Sequence, residues 1–425
     1  MENQKLKKVL LCCLSFMIIF TIISPFVVTY YYLPNEIRVV VGREYCLNFE
    51  LPLWARVKVQ DDLILRDEHS ILQGKENVSL NEPLVVEVQN EGSSQIEISL
   101  LGTIPVKTVA VQAMPYQEVI PGGQVIGIEV HSDGVCVVGT GNFVSNGKEV
   151  NPCKNKVKKG DIITAVDGQS VTTKEEFKTY VESNNGEKIT LEIIRGKKEL
   201  EVEIEPQYSD EESGYKIGAW VKDTIQGLGT LTYVDPQSGS FGALGHGITD
   251  AEFEKIIPIS TGSIMTAVVD QIKKGEAGKP GEISGIINTQ DYAHLGDINN
   301  NTSRGIFGVM EQEDIDKMEH EAVPIATQNE VKEGEATILA DLTGDGVVAY
   351  DIKVQKVAKY TTEPSKGMII KIVDETLLEL TQGIVQGMSG SPILQDGKLI
   401  GAISHVFVND PTSGYGIFIE NMIQN

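Results

Sequence analysis

The sequence G-M-S-G-S-P occupies residues 387–392, and short apolar runs lie on either side of it, among them Gly367–Val373 and Lys398–Val408. Runs of this length between turn residues are typical of strands in an antiparallel barrel. A serine hydroxyl is a weak nucleophile unless a base removes its proton and donors hold the oxyanion. The glycines beside Ser389 let the chain turn sharply and expose that hydroxyl. The stretch therefore predicts a β-barrel domain over residues 208–425, with Ser389 as its nucleophile.

The same turn predicts an oxyanion hole, because it would aim the backbone N–H groups of Gly387 and Ser389 into one pocket. The stretch resembles the G-D-S-G-G-P motif of trypsin-like peptidases, from which Met388 and Ser391 depart. Ser391 is a second hydroxyl in the loop, and it stays open as an alternative nucleophile. A Gly/Ser turn without chemistry is the remaining alternative.

The chain has six histidines, and His246 is the predicted base. It lies in F-G-A-L-G-H-G-I, residues 241–248, where three glycines let other groups approach the imidazole closely. His405 is the alternative, although its sequence I-S-H-V favours a strand that follows the nucleophile loop. A lone histidine is more often structural, so the interpretation of His246 depends on Ser389.

A carboxylate beside the base fixes its tautomer and stabilises the imidazolium. Asp374 is the predicted residue, because it closes the apolar run at residues 368–373 shortly before the nucleophile loop. Asp250, which follows His246 closely, is the alternative. The predicted catalytic residues are therefore His246, Asp374 and Ser389.

Residues 106–207 carry a different pattern, in which strands and one helix alternate. Val125–Val130 predicts a strand, and G-D-I-I-T-A-V-D-G at residues 160–168 predicts a buried strand that ends in a tight turn. Thr173 and Glu176 have the spacing of a capping box, which predicts a helix start. The N-N-G sequence that follows predicts the end of this helix.

These segments resemble the PDZ family, whose most recognisable stretch is G-D-x-I-x-x-V-D-G followed by a capped helix. V-I-G-I at residues 125–128 is similar to the carboxylate-binding loop of that family. The resemblance implies that a peptide adds as an extra strand beside this loop, with Ile126, Gly127 and Ile128 as the peptide-binding residues. The alternative is that Gly127 only relieves a bend.

The N-terminus is expected to anchor the chain in a membrane. Three lysines mark residues 1–8 as a cytoplasmic tail, and the apolar run at residues 9–33 exceeds the roughly 20 residues that a spanning helix needs. A cleaved signal peptide and a buried core helix are the alternatives. The remainder is expected to be exported, beginning with a β-rich module at residues 34–105 that acts as a spacer or docking unit.

The formal net charge of −24 argues against nucleic acid as a partner, because an acidic surface repels phosphate backbones.

The sequence has no C-x-x-C or C-x-x-H pair, so no metal site, redox pair or cofactor is predicted. Cys136 and Cys153 can be one disulfide or two free thiols. Asp341–Gly346 opens like an EF-hand loop, but Ile352 stands where that loop needs glutamate, so a turn is predicted.

Several of these features together resemble the SpoIVB peptidase family. They are the anchor, the PDZ segment, G-H-G-I-T-D at residues 245–250, the nucleophile loop and H-V-F-V-N-D-P-T-S-G-Y-G at residues 405–416. The resemblance implies a chymotrypsin-like antiparallel β-barrel with His246, Asp374 and Ser389 as its triad. It also implies export from the forespore to the intermembrane space in endospore-forming bacteria. The implied substrates are the enzyme's own N-terminal region and a membrane-associated regulator of an intramembrane protease, which processes a mother-cell sigma factor.

Two other function classes stay open at this point. A PDZ scaffold with an inactive protease-like domain would bind proteins without cleaving them, although an intact set of serine, histidine and aspartate argues against it. A quality-control protease of the HtrA class would be an enzyme, but that class usually carries its PDZ domain after the catalytic domain. Here the PDZ segment comes first.

Overall fold

The structure, a computed structural model, describes residues 33–47, 54–58, 63–66, 71–72, 75–79, 84–100, 104–196, 198–249, 256–257, 259–290, 293–358, 361 and 363–423, and single positions 14, 17, 24, 27, 30 and 31. Within these residues, no helix is long and apolar enough to span a membrane. The predicted tail at residues 1–8 and most of the predicted anchor at residues 9–33 lie outside the described residues.

The first strands along the chain are β1 (Glu36–Val40), β2 (Glu44–Leu47), β3 (Trp54–Lys58), β4 (Leu63–Arg66), β5 (Ile71–Leu72), β6 (Lys75–Ser79), β7 (Leu84–Val88), β8 (Gly92–Leu100) and β9 (Ile104–Met114). The described residues up to Gln117, with Pro324–Val331, form one compact unit. In it β9 pairs in parallel with β1 and antiparallel with β8. Alternate residues of these strands, such as Ile37 and Val109, are fully buried. Because β9 belongs to this sheet, the β-rich module continues past the predicted boundary at residue 105.

The second unit contains the described residues from Glu118 to Val323 and from Lys332 onward. The next strands along the chain are β10 (Glu118–Pro121), β11 (Val125–Thr140), β12 (Phe143–Ser145), β13 (Lys148–Val150), β14 (Ile162–Val166), β15 (Gln169–Ser170), β16 (Ile189–Arg195), β17 (Lys198–Ile204), β18 (Gln207–Ser209), β19 (Gly214–Lys216), β20 (Ala219–Val234), β21 (Ser240–Ala243), β22 (Ile259–Lys273), β23 (Gly281–Ile287), β24 (His294–Thr302), β25 (Gly305–Met310) and β26 (Val323–Pro324).

The remaining strands are β27 (Gly334–Ala340), β28 (Val348–Val357), β29 (Met368–Ile372), β30 (Val385–Gln386), β31 (Pro392–Gln395), β32 (Lys398–Phe407) and β33 (Asp410–Phe418). The helices are α1 (Lys174–Ser183), α2 (Gln312–Ile315), α3 (Glu375–Thr381) and α4 (Ile419–Ile423), with a 3-10 turn at Pro364–Lys366. A large sheet has the strand order β17-β16-β14-β11-β20-β21-β25-β24-β22-β23-β30, and β27-β28-β29-β33-β32-β31 close into a barrel. The prediction of a mainly β fold with a barrel is confirmed.

Helix α1 confirms the local predictions for the PDZ segment. Thr173 caps its first turn and forms the capping box with Glu176, and Phe177 and Val181 are buried in the core that α1 shares with the adjoining strands. The predicted tight turn at Asp167 also forms, with the left-handed backbone (φ 49°) that such a turn requires.

Two long strands, β11 and β20, run through both the PDZ segment and the catalytic segment. They pair antiparallel from Val125 beside Thr230 to Thr140 beside Ala219. Near its C-terminal end β11 pairs with β14 of the PDZ segment, whereas its N-terminal half pairs with β22. The PDZ sheet is therefore continuous with the sheet that supports the site described next.

Candidate active site

The loop between β30 and β31 presents Ser389, which is half-buried. Gly387 and Gly390 on either side of it have φ values of 104° and 98°, a backbone conformation that residues with a Cβ rarely adopt. A Cβ on Gly390 would also overlap the backbone of Thr230 and Leu244. Only glycine fits at this position, so the predicted sharp turn around the serine is confirmed.

Two threonines of β20 hold the nucleophile loop in place. The Thr230 hydroxyl donates to the carbonyl of Gly387 (2.7 Å), and the Thr232 hydroxyl donates to the carbonyl of Gly390 (2.8 Å). The Thr230 amide donates to the carbonyl of Ser389 at 3.0 Å. Sequence reasoning missed both threonines. Their i, i+2 spacing in L-G-T-L-T-Y was the available signal, because it places both hydroxyls on one face of a strand.

The amides of Gly387 and Ser389, the predicted oxyanion donors, have no hydrogen-bond acceptor among the residues that the structure describes. Unpaired N–H groups beside a nucleophile can donate hydrogen bonds to the oxyanion of a tetrahedral intermediate and so stabilise it. Ser391, the alternative nucleophile, is fully buried, and its hydroxyl has no partner in the described part of the chain. A substrate can reach Ser389 but not Ser391.

His246 follows a tight reversal of the chain after β21. Leu244 and Gly245 both have left-handed backbones, with φ values of 71° and 68°, and such strain in a non-glycine residue is frequent at functional sites. The Nδ1 atom of His246 lies 2.9 Å from the carbonyl oxygen of Gly247. Because a carbonyl can only accept, Nδ1 carries the hydrogen and Nε2 is left as the basic nitrogen. Burial lowers the pKa of His246 below its ordinary value, so the ring is neutral at neutral pH.

Ser389 and His246 line one cleft with a volume of about 500 Å³. Its walls are mostly aliphatic, from Ile128, Ile225, Leu228, Leu244, Ile248, Ile384, Val385, Val406 and Val408. The Ser389 hydroxyl donates to the carbonyl of Ser404 (3.2 Å) and makes no hydrogen bond to His246. Catalytic hydrogen bonds are often long or misaligned without substrate. The Ser389 hydroxyl therefore has to exchange its bond to Ser404 for one to the imidazole before its proton can pass to His246.

His405, the alternative base, lies in the same cleft. Its ring centroid is 5.0 Å from that of His246, and the two ring planes make an angle of 40°. Burial, followed by His246 and Lys366, lowers the pKa of His405 to about 4. The structure thus brings together both histidines that the sequence offered as bases.

Asp374 is placed elsewhere, as the N-cap of α3. Its Oδ1 accepts from the amide of Leu377 (2.8 Å), and its Oδ2 accepts from the amide of Asp351 (3.3 Å). It does not line the cleft, and no carboxylate hydrogen-bonds His246 within the described ranges. The structure does not bring Asp374 to the base, and the alternative Asp250 lies outside the described residues.

The predicted peptide-binding residues Ile126, Gly127 and Ile128 require a correction. They lie near the N-terminal end of β11, whose two edges pair with β20 and β22 at these positions. A strand that is paired on both edges cannot receive a peptide as an extra strand. A Cβ on Gly127 would overlap the side chain of Ile287, so the glycine serves close packing. Ile128 instead lines the cleft beside Ser389.

Two minor predictions can also be compared with the structure. The Asp341 carboxylate accepts from the amide of Gly344 at 2.8 Å, which makes the EF-hand-like stretch a turn as predicted. Cys136 and Cys153 are not joined in a disulfide, and Cys153 is buried.

Comparisons with known proteins agree with the predicted family. Residues 213–423 match the model of SpoIVB peptidase S55, and residues 125–205 match that of the PDZ domain. No curated protein matches the chain.

Among solved structures, the chain is similar to the PDZ domain of the SdrC-like protein from Listeria monocytogenes, at 24% identity over 21% of this chain and 87% of that chain, with a TM-score of 0.18. It is also similar to the inactive form of the Rv3671c protease from M. tuberculosis, at 11% identity over 46% of this chain and 81% of that chain, with a TM-score of 0.25. The HtrA-type protease AlgW with decapeptide is a third, at 10% identity over 48% of this chain and 51% of that chain, with a TM-score of 0.27.

The two family matches cover the parts of the chain that carry the site. His246, Ser389 and His405 all lie within residues 213–423, and α1 lies within residues 125–205. The chain is a serine peptidase of the SpoIVB peptidase S55 family, with a PDZ domain ahead of the peptidase segment.

Proposed function

We propose that this protein is a membrane-tethered serine endopeptidase that cleaves peptide bonds through an acyl-enzyme, with Ser389 as nucleophile and His246 as base. The observation that carries the proposal is the convergence of these two side chains in one cleft, beside the amides of Gly387 and Ser389, which have no acceptor in the part of the chain that the structure describes. The family match supports the reaction class.

The reaction begins when the Ser389 oxygen attacks the scissile carbonyl carbon. Its proton passes to Nε2 of His246, and the amides of Gly387 and Ser389 donate to the oxyanion. The imidazolium then gives the proton to the leaving amine as the C–N bond breaks. Water, deprotonated by the same ring, releases the acyl group and restores the serine. The neutral state of the half-buried His246 suits the first of these steps.

The cleft favours an uncharged substrate segment. Its aliphatic walls can bury apolar side chains, and the described residues that line it include no Asp, Glu, Lys or Arg. By likeness to the family we infer two substrates, the enzyme's own N-terminal region and a membrane-associated regulator of an intramembrane protease. Location in the intermembrane space and a role in activating a mother-cell sigma factor belong to the same proposal. The role of Asp374 in orienting the base stays a prediction that only the family likeness supports.

Labelling with a fluorophosphonate tests the nucleophile. Full-length protein in detergent should be labelled on Ser389, as located by peptide mass spectrometry, and Ser389→Ala should not be labelled. Ser391→Ala is the matched control within the same loop, and it should still be labelled because the wild-type Ser391 hydroxyl is buried. Absence of labelling in folded wild-type protein would favour a scaffold without activity.

Self-cleavage is tested separately. N-terminal sequencing of wild-type protein after incubation should find a new terminus, which a serine-peptidase inhibitor or Ser389→Ala prevents. An unchanged terminus would remove self-cleavage from the proposal and leave the serine chemistry standing.

A further inference from the structure

Strand β20 has one edge that is uncovered along much of its length. On one side, the residues from Ala219 to Thr230 pair with β11, whereas on the other side pairing with β21 begins only at Leu231. Within the described ranges, no strand pairs with this second edge between Ala219 and Leu228, and this stretch is called the uncovered edge below. Because such an edge presents a row of free main-chain N–H and C=O groups, it is a template for another extended chain.

The uncovered edge leads to the nucleophile. Just beyond it, the Thr230 amide donates to the carbonyl of Ser389 at 3.0 Å. The last residues of the edge, Ile225–Leu228, line the cleft that contains Ser389. In an antiparallel strand the main-chain groups of alternate residues point to the same side, so those of Gln226 and Leu228 point the same way as those of Thr230. A chain that adds along this edge therefore reaches the reacting serine.

Gly227 lies in the uncovered edge, and the packing of the chain does not require a glycine there. A Cβ at Gly227 would meet nothing within 4 Å, and its φ lies outside the left-handed region. At Gly229, by contrast, a Cβ would overlap the side chain of Leu244. A glycine inside a strand weakens it and often marks a place where another backbone approaches closely. Among the described residues nothing fills this space, so it is open to a ligand.

The far end of the uncovered edge lies at the PDZ segment. The Asp223 carboxylate accepts from the amide of Lys174, at the start of α1, at 2.9 Å. Ala219 and Val221 pack against the core that contains Phe177 of α1. The family match for the PDZ domain ends at residue 205, yet the start of β20 completes its core. A chain that follows the uncovered edge thus spans the distance from α1 to the cleft.

We propose that the substrate segment that follows the scissile bond adds to the uncovered edge as an antiparallel strand, from Leu228 to Ala219. The proposal rests on the proposed function and states how its substrate is held. Each residue of the segment pairs with one residue of β20, so the enzyme reads about ten residues beyond the cut. Because main-chain groups make these contacts, many side chains are tolerated, but proline is excluded at the alternate positions that donate to β20.

The direction of the segment follows from strand pairing. Antiparallel pairs are more stable per residue than parallel pairs, and the pairs that β20 makes with β11 and β21 are antiparallel. A chain that leaves Ser389 toward Ala219 is antiparallel to β20 only if it runs from its N-terminus to its C-terminus. This is the side of the substrate that carries the leaving amine.

The length of the segment is tested with quenched-fluorescence peptides that share two valines at the scissile bond. They carry tails of about 2, 6, 10 or 14 residues of alternating serine and threonine after the bond, to span the uncovered edge and exceed it. The value of kcat/KM should rise by about 10- to 100-fold up to about ten residues and then stay level, since each new hydrogen bond adds a small net gain. The matched control carries the same tail before the scissile bond and should show no gain.

The pairing is tested by N-methylation of single tail residues, which removes one N–H and keeps the side chain. The losses should alternate, with about 3- to 10-fold at residues whose N–H faces β20 and no more than about 2-fold at their neighbours. Gly227→Val should lower kcat/KM for the ten-residue tail by about 10-fold or more, because valine fills the space that the added backbone needs. Its unfolding free energy should not fall, since valine favours a strand and has room.

Four results would overturn the proposal. They are a kcat/KM that does not depend on tail length, an equal gain from the tail placed before the bond, N-methyl losses without alternation, and normal cleavage of the ten-residue tail by Gly227→Val.

Binding without turnover keeps the inference separate from the proposed function. In full-length Ser389→Ala protein, fluorescence anisotropy of the same peptides should give a Kd that falls with tail length up to about ten residues. A Kd that is the same for all tails would overturn the inference even in an active enzyme. Failure of wild-type protein to react with fluorophosphonate, by contrast, would overturn the proposed function itself and leave the binding result standing.

Discussion

Replacing Thr230 or Thr232 by valine tests whether β20 holds the nucleophile loop. Valine keeps the shape and the strand preference of threonine but removes its hydroxyl. The hydroxyl of Thr230 donates to the carbonyl of Gly387, and that of Thr232 donates to the carbonyl of Gly390. Each substitution therefore deletes one donor to the loop.

The structure predicts different magnitudes for the two variants. A hydrogen bond contributes a net of about 1 kcal/mol, whereas a buried acceptor left without a partner costs about 1–3 kcal/mol. Gly387 is half-buried, so water can replace part of the lost bond, and Thr230→Val should cost about 1 kcal/mol of unfolding free energy. Gly390 and Thr232 are both fully enclosed, so Thr232→Val should cost about 2–3 kcal/mol.

The effect on the labelling rate should have the opposite order, with the larger loss in Thr230→Val. Gly387 supplies one of the two expected oxyanion donors, and removal of such a donor lowers kcat by about 10²- to 10³-fold. Thr230→Val keeps the Gly387 amide but removes the hydrogen bond that holds Gly387 in place. The labelling rate should therefore fall by less than it would on loss of the donor itself, by about 10-fold. Thr232→Val should react within about 3-fold of the wild type, since the Gly390 amide remains bonded to the Ile403 carbonyl.

Urea denaturation gives the unfolding free energies, and the rate of fluorophosphonate labelling gives the reactivity. Thr164→Val is the matched control, because its hydroxyl also donates to a carbonyl, that of Glu192, but at 3.3 Å and in an exposed position. It should change stability by no more than about 0.5 kcal/mol. If both β20 variants matched this control in stability and rate, the loop would not depend on β20.

Three further outcomes follow from the structure. Asp374→Asn should leave the unfolding free energy within about 0.5 kcal/mol of the wild type, since asparagine caps helices as well as aspartate does; loss of labelling at unchanged stability would then show that the site needs the charge of Asp374. Gly127→Val should reduce cleavage of short peptides and of protein substrates alike, because the new side chain meets Ile287 in the shared sheet; unequal losses would contradict this. The labelling rate should stay level as pH falls to about 6.5, the ordinary imidazole pKa, and fall only below it, because burial lowers the pKa of His246; a midpoint above that pH would contradict the assignment.

The sequence predicted those features that depend on local chemistry. Ser389 stood out because only a turn with glycines on both sides exposes a serine in this way, and the φ values of Gly387 and Gly390 bear this out. The start of α1 was predictable because a capping box is complete within four residues, and both of its hydrogen bonds form.

Features that depend on strand pairing could not be predicted in the same way. V-I-G-I at residues 125–128 has the sequence of a PDZ loop, but its neighbours in the sheet come from β20 and β22, far along the chain. A local pattern indicates a strand without saying what pairs with its edges. Asp374 presented a related difficulty, because a carboxylate at a strand end also suits a helix N-cap, and in the structure it caps α3.

Because β11 and β20 run through both the PDZ segment and the catalytic segment, the PDZ domain is not an independent module. At one end of β20, Asp223 accepts from the first amide of α1, that of Lys174, at 2.9 Å; at the other end, Thr230 and Thr232 hold the nucleophile loop. The PDZ helix and the reactive serine are therefore attached to one strand, with no linker between them. A domain joined in this way cannot serve only as a tether for substrate, because any shift of β20 relative to β11 would move the threonine hydroxyls that hold the loop of Ser389. Binding to the PDZ domain and reactivity at the serine should consequently be measured together in every variant of this sheet.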